Sequence, residues 1–247
     1  MMKALSTFFP DWRETRVWRS IFRSGSGESN LHRAQVIQQN VFLHLFSTKT
    51  RLRALEFGAT WYLGALTFGT FLVLGITGIV LMLYYHPSAP QAYLDMKDLQ
   101  FVVSFGVFLR NLHRWSAHAM VILAFAHMFK VFYRGAYQPP REFNWVIGVV
   151  LLITTLLLSY TGYLLPWDQL SLWAVTVGSN LASTVPLVGG KIRFLMLGGN
   201  IVNASALLRF YVLHCMVLPI AALALIAIHF WRIRKDGGLH SGGSDAK

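Results

Sequence analysis

The sequence predicts an all-α integral membrane protein, a four-helix bundle preceded by an amphipathic N-terminal arm. Three observations predict it. Of 247 residues, 55% are hydrophobic and 14% aromatic, and the mean hydropathy is +0.49, as in a small membrane protein and unlike a soluble domain. Four apolar runs, Ala59 to Tyr85, Phe101 to Tyr133, Phe143 to Leu165 and Leu207 to Trp231, each reach the ~20 residues that a helix needs to cross ~30 Å of hydrocarbon. Lys and Arg are distributed unevenly among the segments between the runs.

Taken in order, residues 1–56 form a basic arm with Arg13, Arg16, Arg19, Arg23, Arg33, Lys49, Arg51 and Arg53. Its start, MMKALSTFFPDWRE, lacks the continuous apolar core of a signal peptide and is expected to be retained. Within it, LHRAQVIQQNVFLHLF has apolar residues at mixed helical spacing, suited to a helix lying along the membrane surface. Residues 57–234 hold the four spanning helices, and 235–247 form a tail. Basic residues gather in the arm, in KVFYRGAYQPPRE between the second and third runs, and in RIRKDG after the fourth. The first loop, HPSAPQAYLDMKDLQ, has one Lys and two Asp; the third loop holds Lys191 and Arg193. The positive-inside rule therefore places both termini in the cytoplasm. The net charge of +12 reads as orientation and contact with anionic lipid, with no nucleic-acid partner implied. A single cysteine, Cys215, excludes an internal disulfide and a CxxCH site for covalent haem.

The second run carries imidazoles where hydrocarbon is expected. His113 and His127 are 14 residues apart, roughly 21 Å of rise on nearly the same face of a helix. On the fourth run His214 and His229 are 15 apart. Both runs cross from outside to inside, so His113 is level with His214 and His127 with His229. Paired neutral imidazoles are good axial ligands for a six-coordinate, electron-transferring haem; the alternative is that each histidine hydrogen-bonds a neighbouring helix. His118 lies 140° around from His113 with no partner at its depth, and is read as packing or lipid-facing. His32, His44, His86 and His240 lie outside or at the edge of the spans and receive no metal role.

Glycines follow the same spacing. Gly64 and Gly78 on the first run, and Gly148 and Gly162 on the third, are also 14 apart. Those runs cross in the opposite sense, so Gly64 and Gly148 fall at the inner histidine level and Gly78 and Gly162 at the outer. Their missing side chains would let a flat macrocycle approach the backbone. Arg110 and Arg114 beside His113 suit the propionates of an outer haem. Lys130 one turn beyond His127, with Arg141, suits those of an inner one; snorkelling to the interface is the alternative for both.

FLRNLHRWSAHAM, PREFNWVIGVV, TGYLLPWDQLSLWAV and LLRFYVLHCMVLP resemble the N-terminal, four-helix half of cytochrome b, closest to the split cytochrome b6 type, from about Ala59 to Gly237. The 15-residue spacing on the fourth run also resembles the split type. The resemblance implies a di-haem cytochrome b core with two non-covalent b-type haems: an outer haem iron held by His113 and His214, an inner one by His127 and His229. It implies a subunit, inactive alone, of a quinol:cytochrome c or similar oxidoreductase of the respiratory chain. A quinol is oxidised near the outer face and a quinone reduced near the inner. The quinol site would be walled by GYLLPWDQLSLWAV, with Trp167 and Asp168 as candidates and Trp173, Ala174 and Val175 nearest the quinol. The inner quinone site would lie near Arg232, Arg234, Lys235 and Asp236. Implied partners are a Rieske iron-sulfur protein, a c-type cytochrome and a second copy of the complex, in the bacterial inner membrane. Three departures matter. Tyr62 stands where some split-type members attach an extra haem through cysteine. Leu74 stands where many relatives have a glutamine near the outer propionates. No PEWY motif follows the fourth run, so a separate subunit resembling the C-terminal half of cytochrome b is expected. Two other readings stay open. One is a di-haem anchor of a dehydrogenase or hydrogenase exchanging electrons with the quinone pool, against which TGYLLPWDQL counts; the other is a haem-free structural or transport bundle.

Overall fold

The computed structural model describes residues 29–31, 44–45 and 56–239. The chain divides into two compact units, Met1–Thr48 and Lys49–Lys247. In the first, residues 30–31 and 44–45 are helical; the remainder of the expected surface helix, the basic arm and the tail from His240 onward lie outside the described residues.

Four helices long and apolar enough to cross a membrane make up the second unit. A short α1 (Phe57–Thr60) is cut from α2 (Leu63–Met82) by Trp61 and Tyr62, both left-handed at φ 52. The first span therefore begins four residues later than the apolar run does. The second run, read from sequence as one segment from Phe101, is divided: α3 (Gln91–Phe101) belongs to the loop, and α4 (Gly106–Tyr133) starts after a reversal at Phe105, φ 59. Gly106 permits that reversal, since a Cβ there would collide with the Leu99 carbonyl. The third span is α5 (Glu142–Tyr163). Two loop helices follow, α6 (Gln169–Ser183) and α7 (Gly189–Leu197). The fourth span runs unbroken from Ala204 to Lys235 as α8 (Ala204–Val212), a π-turn (Leu213–Val217) and α9 (Leu218–Lys235).

The π-turn explains the odd spacing on this span. Fifteen α-helical steps of ~100° would leave His214 and His229 about 60° out of line, whereas 14 steps leave about 40°, the offset between His113 and His127. A π-turn absorbs one extra residue. Here the Leu218 N–H reaches back five residues to the Leu213 carbonyl, so the fourth span presents its histidines as the second does. Pro219 is the local cause: it has no N–H to give the Cys215 carbonyl, and its ring crowds that oxygen.

α2 packs along α4, α4 along α5, and α5 along the fourth span. Phe68 meets Phe230 edge-on at 5.2 Å and closes the ring. The buried core lies at the end where the loop helices gather: Leu164, Val175, Leu197, Ala206 and Phe210 form one cluster, Tyr85, Ala92 and Leu207 another. Along the spans, large apolar side chains such as Ile76, Ile79, Trp115, Ile122 and Phe129 face outward, as they do where lipid is the solvent.

Candidate functional site: two levels of histidine

Within the bundle the structure brings the four histidines into two pairs. At the loop-helix end His113 and His214 face each other with ring centroids 6.3 Å apart and planes at 74°. Two metal–imidazole bonds of ~2.0 Å, with the ring radii added, span about this distance. Further along, His127 lies within electrostatic reach of His229. Each ring rests on one glycine. A Cβ would stand 3.3 Å from His113 Cε1 at Gly78, 3.3 Å from His127 Cε1 at Gly64, 3.8 Å from His229 Cε1 at Gly148, and 2.5 Å from His214 Cε1 at Gly162. Glycine is thus required by space at Gly162 and preferred at Gly64 and Gly78, while Gly148 has ordinary clearance.

Threonines that the sequence reading passed over hold the loop-side pair. Thr77 Oγ1 lies 2.8 Å from His113 Nδ1 and donates its own hydrogen to the Val73 carbonyl at 2.7 Å. Thr161 Oγ1 lies 3.2 Å from His214 Nδ1 and donates to the Leu157 carbonyl at 2.8 Å. His214 Nδ1 also meets the Leu158 carbonyl at 3.1 Å. A carbonyl can only accept, so the proton sits on Nδ1 and the Nε2 lone pair is left for a metal. At the other level His229 Nδ1 faces the Asn144 carbonyl without a closed hydrogen bond among the described residues. The signal was present in the sequence: each loop-side glycine is preceded by threonine, in Thr77-Gly78 and Thr161-Gly162.

The flanking cations sit as follows. Arg110 Nη1 donates to Gln100 Oε1 at 3.5 Å, and Arg114 is exposed. Lys130 Nζ stands 3.6 Å above the Trp61 ring, a cation–π contact that ties α4 to the bend before α2. Arg141 Nη2 donates to the Asp236 and Gly238 carbonyls, at 3.4 and 3.1 Å. His118 is exposed and meets Trp115 edge-on at 5.6 Å, away from both pairs.

At the loop-helix end, Trp167 adopts φ 51, and Asp168 caps α6 by accepting from the Ser171 N–H at 2.8 Å and its hydroxyl at 2.9 Å. With Tyr93, Gln169 and Leu170 these two residues line an open groove of about 420 Å³. Trp173 is 62% exposed, and the Ala174 carbonyl accepts from Tyr160 Oη at 3.2 Å. Val175 departs from the expected placement: it is fully buried in the core, so its side chain offers no surface to a quinol. The reason is α6's pitch, which turns Ser171, Val175 and Ser179, four residues apart, to the inside.

At the opposite end Arg232 Nη2 pairs with Asp236 Oδ1 at 2.6 Å. Arg232 Nε and Asp236 Oδ2 are buried and lack hydrogen-bond partners among the described residues. Lys235 Nζ lies 5.6 Å from the Trp231 ring centroid, and Arg234 is half-buried beside them.

Residues 49–237 match the family model described as Cytochrome b/b6/petB. Cytochrome b6 of Heliomicrobium gestii is 45% identical over 175 residues, 71% of this chain and 82% of that one. Cytochrome b6 of Synechocystis sp. is 42% identical over 71% of this chain and 79% of its own. Among solved structures, a chain of a hyperthermophilic respiratory Complex III superposes with a TM-score of 0.67 at 28% identity, covering 84% of this chain and 54% of that one. This chain thus spans about half the length of that structural relative. It belongs to the cytochrome b family, as an integral membrane, haem-binding electron-transport subunit that fits the split b6 type.

Proposed function

We propose that the chain binds two b-type haems and carries electrons across the membrane between an outer quinol-oxidising site and an inner quinone-reducing site, within a Rieske/cytochrome b complex that reduces a c-type cytochrome or similar carrier. The observation that carries this reading is the opposed pair His113 and His214 at 6.3 Å, repeated by His127 and His229 one level along, every ring backed by a glycine. Nothing in a merely structural bundle requires four imidazoles at two levels, each against a glycine.

In this reading His113 and His214 hold the outer haem iron and His127 and His229 the inner. When bound, the haems supply one-electron relays between the two faces. Arg110 and Arg114 stand at the outer level, and Lys130 and Arg141 at the inner, to offset propionate charge. The groove at Trp167 and Asp168, with Trp173 and the Ala174 backbone beyond it, forms one wall of the quinol site. Arg232 Nε and Asp236 Oδ2, a buried donor and a buried acceptor without partners, suit the oxygens of a quinone and the protons that its reduction takes up. The other wall and the second electron route belong to partners: a subunit resembling the C-terminal half of cytochrome b, and a Rieske protein, in a dimeric assembly. Residues 1–56 form a cytoplasmic arm, 57–234 the haem domain and 235–247 a cytoplasmic tail, in a bacterial inner membrane.

Pyridine haemochrome assay of the purified protein tests the reading. About two haems per chain, all extractable by acidic acetone, are expected, and His127→Ala or His229→Ala should remove one while leaving the other spectrally intact. One haem in the unmodified protein would overturn it.

A further inference from the structure

We propose that Thr77 and Thr161 are positioning residues for the outer pair, acting through His113 and His214 to lower the reduction potential of the outer haem. The inference rests on the two-haem reading above. It begins from a pattern around the four glycines. The residue before each is buried, with 8% exposure at Leu63, 4% at Thr77, 9% at Ile147 and 3% at Thr161. Leu63 and Thr77, like Ile147 and Thr161, are 14 residues apart, so each pair repeats the same place on its helix at the two levels. At the outer level that place holds a hydroxyl on both helices; at the inner level it holds only carbon.

The hydroxyls are committed as acceptors toward the rings. Thr77 gives its hydrogen to Val73 O and Thr161 gives its to Leu157 O, which leaves each oxygen lone pair for a ring Nδ1–H, at 2.8 and 3.2 Å. For His214 the Leu158 carbonyl adds a second acceptor. An acceptor on Nδ1–H draws the proton away and gives the imidazole more imidazolate character. Such a ring donates more strongly through Nε2 and favours ferric over ferrous iron, which lowers the potential. The inner level has no equivalent hydroxyl at Leu63 or Ile147; there His229 Nδ1 faces the backbone carbonyl of Asn144. Hydroxyl acceptors are thus placed at the outer level, in two Thr-Gly doublets that face Leu-Gly and Ile-Gly at the inner one.

Potentiometric titration of the haem absorbance bands in the intact complex tests this without reference to turnover. Thr77→Val and Thr161→Val keep the shape and delete the hydroxyl acceptor, leaving the Leu158 carbonyl on His214. Each should raise the outer midpoint with the inner one unmoved, changing the reduction equilibrium three- to tenfold, where tenfold corresponds to about 59 mV for one electron. Thr77→Ser and Thr161→Ser should restore the original value, which a role in packing alone would not. Ile147→Thr is the reciprocal change and should lower the inner midpoint. Two haems in the unmodified protein with an outer midpoint unchanged or lowered in the valine variants would overturn the inference while leaving the two-haem reading intact. A single haem in the unmodified protein would overturn both. If a valine variant fails to retain its outer haem, Ile147→Thr decides: an inner midpoint that stays or rises refutes the proposal.

Discussion

At the scale of single residues, the four glycines make a graded test, because their clearances to the histidine rings differ. Gly162→Ala would put a methyl 2.5 Å from His214 Cε1 and 3.1 Å from its Nδ1. The ring is also fixed by Thr161 and Leu158, so it cannot step aside without losing a hydrogen bond, a cost of ~1–3 kcal/mol for a buried donor. Gly64→Ala and Gly78→Ala, at 3.3 Å, ask their rings to move by a few tenths of an ångström, and Gly148→Ala at 3.8 Å asks nothing. Haem content read from pyridine haemochrome spectra should fall furthest in Gly162→Ala, by the outer haem alone. It should fall partly in the two intermediate variants and stay whole in Gly148→Ala. An equal loss in all four would show that the glycines serve helix packing in general. The glycine spacing was readable from sequence because a helix repeats every 3.6 residues. The ranking was not, since it depends on sub-ångström differences in how each ring meets the neighbouring backbone. The threonines were readable but unread: a hydroxyl in a membrane helix normally satisfies itself on the carbonyl four residues back, and only the structure shows that these two do so and still accept from a ring.

At the scale of elements, the spans were legible because apolar length is what the bilayer selects, while the departures came from local backbone chemistry that hydropathy does not register. α3 is polar on average and hydropathy reads it as loop; its buried Ala92, Asp95 and Leu99 identify it as a cap. Asp95 is the strongest part of that cap. Its Oδ2 accepts from the His86 N–H at 2.6 Å and from His86 Nδ1 at 3.0 Å, and its Oδ1 from Gln91 Nε2 at 2.7 Å. Burial pushes this carboxyl up, but the Gln91 and His86 donors outweigh it and hold it below the usual carboxylate range. A depressed carboxyl stabilises the fold fully above its unfolded value of ~3.9 and loses that contribution as pH falls through the lower folded value. Hydrogen exchange at the His86 amide should therefore be slow at neutral pH and accelerate only in acid, whereas Asp95→Asn should exchange about 10- to 100-fold faster at neutral pH; unchanged exchange would remove Asp95 from the cap. The π-turn gives the sharper prediction. Deleting Met216 leaves 14 residues between the fourth-span histidines, which a plain α-helix presents at the same ~40° offset as now, so both haems should remain. Deleting Met216 and Val217 together turns His229 by ~100° and should remove the inner haem alone. Loss of that haem in the single deletion would show that the π-turn does more than restore register.

At the scale of the whole molecule, the proposed function sets one requirement: charge has to cross the bundle. An electron moved fully against the membrane potential costs ~2.3 kcal/mol per 100 mV, and in the proposed function oxidation of quinol drives that step by sending its two electrons along different routes at the outer face. The histidine levels of this chain describe one route. Its single cysteine, Cys215, sits within the π-turn beside His214 and cannot support the several thiolates or imidazoles of an iron-sulfur centre, so the proposed function assigns the second route to a partner. The groove at Trp167 and Asp168 is open to solvent, and α6, α7 and the turn between them leave Trp173, Leu187 and Leu195 exposed, apolar surface at the end where partners would complete a quinol pocket. The chain with its haems should therefore accept electrons yet fail to sustain quinol-driven reduction of an external acceptor. The complex with its co-purifying subunits should sustain it and be blocked by outer-site inhibitors. The measurement is steady-state quinol oxidation by the chain alone and by the complex, at equal haem. If the isolated chain held both haems, turned over at the rate of the complex and resisted those inhibitors, a one-route anchor delivering electrons to a peripheral enzyme would replace the two-route subunit as the better account of these four histidines.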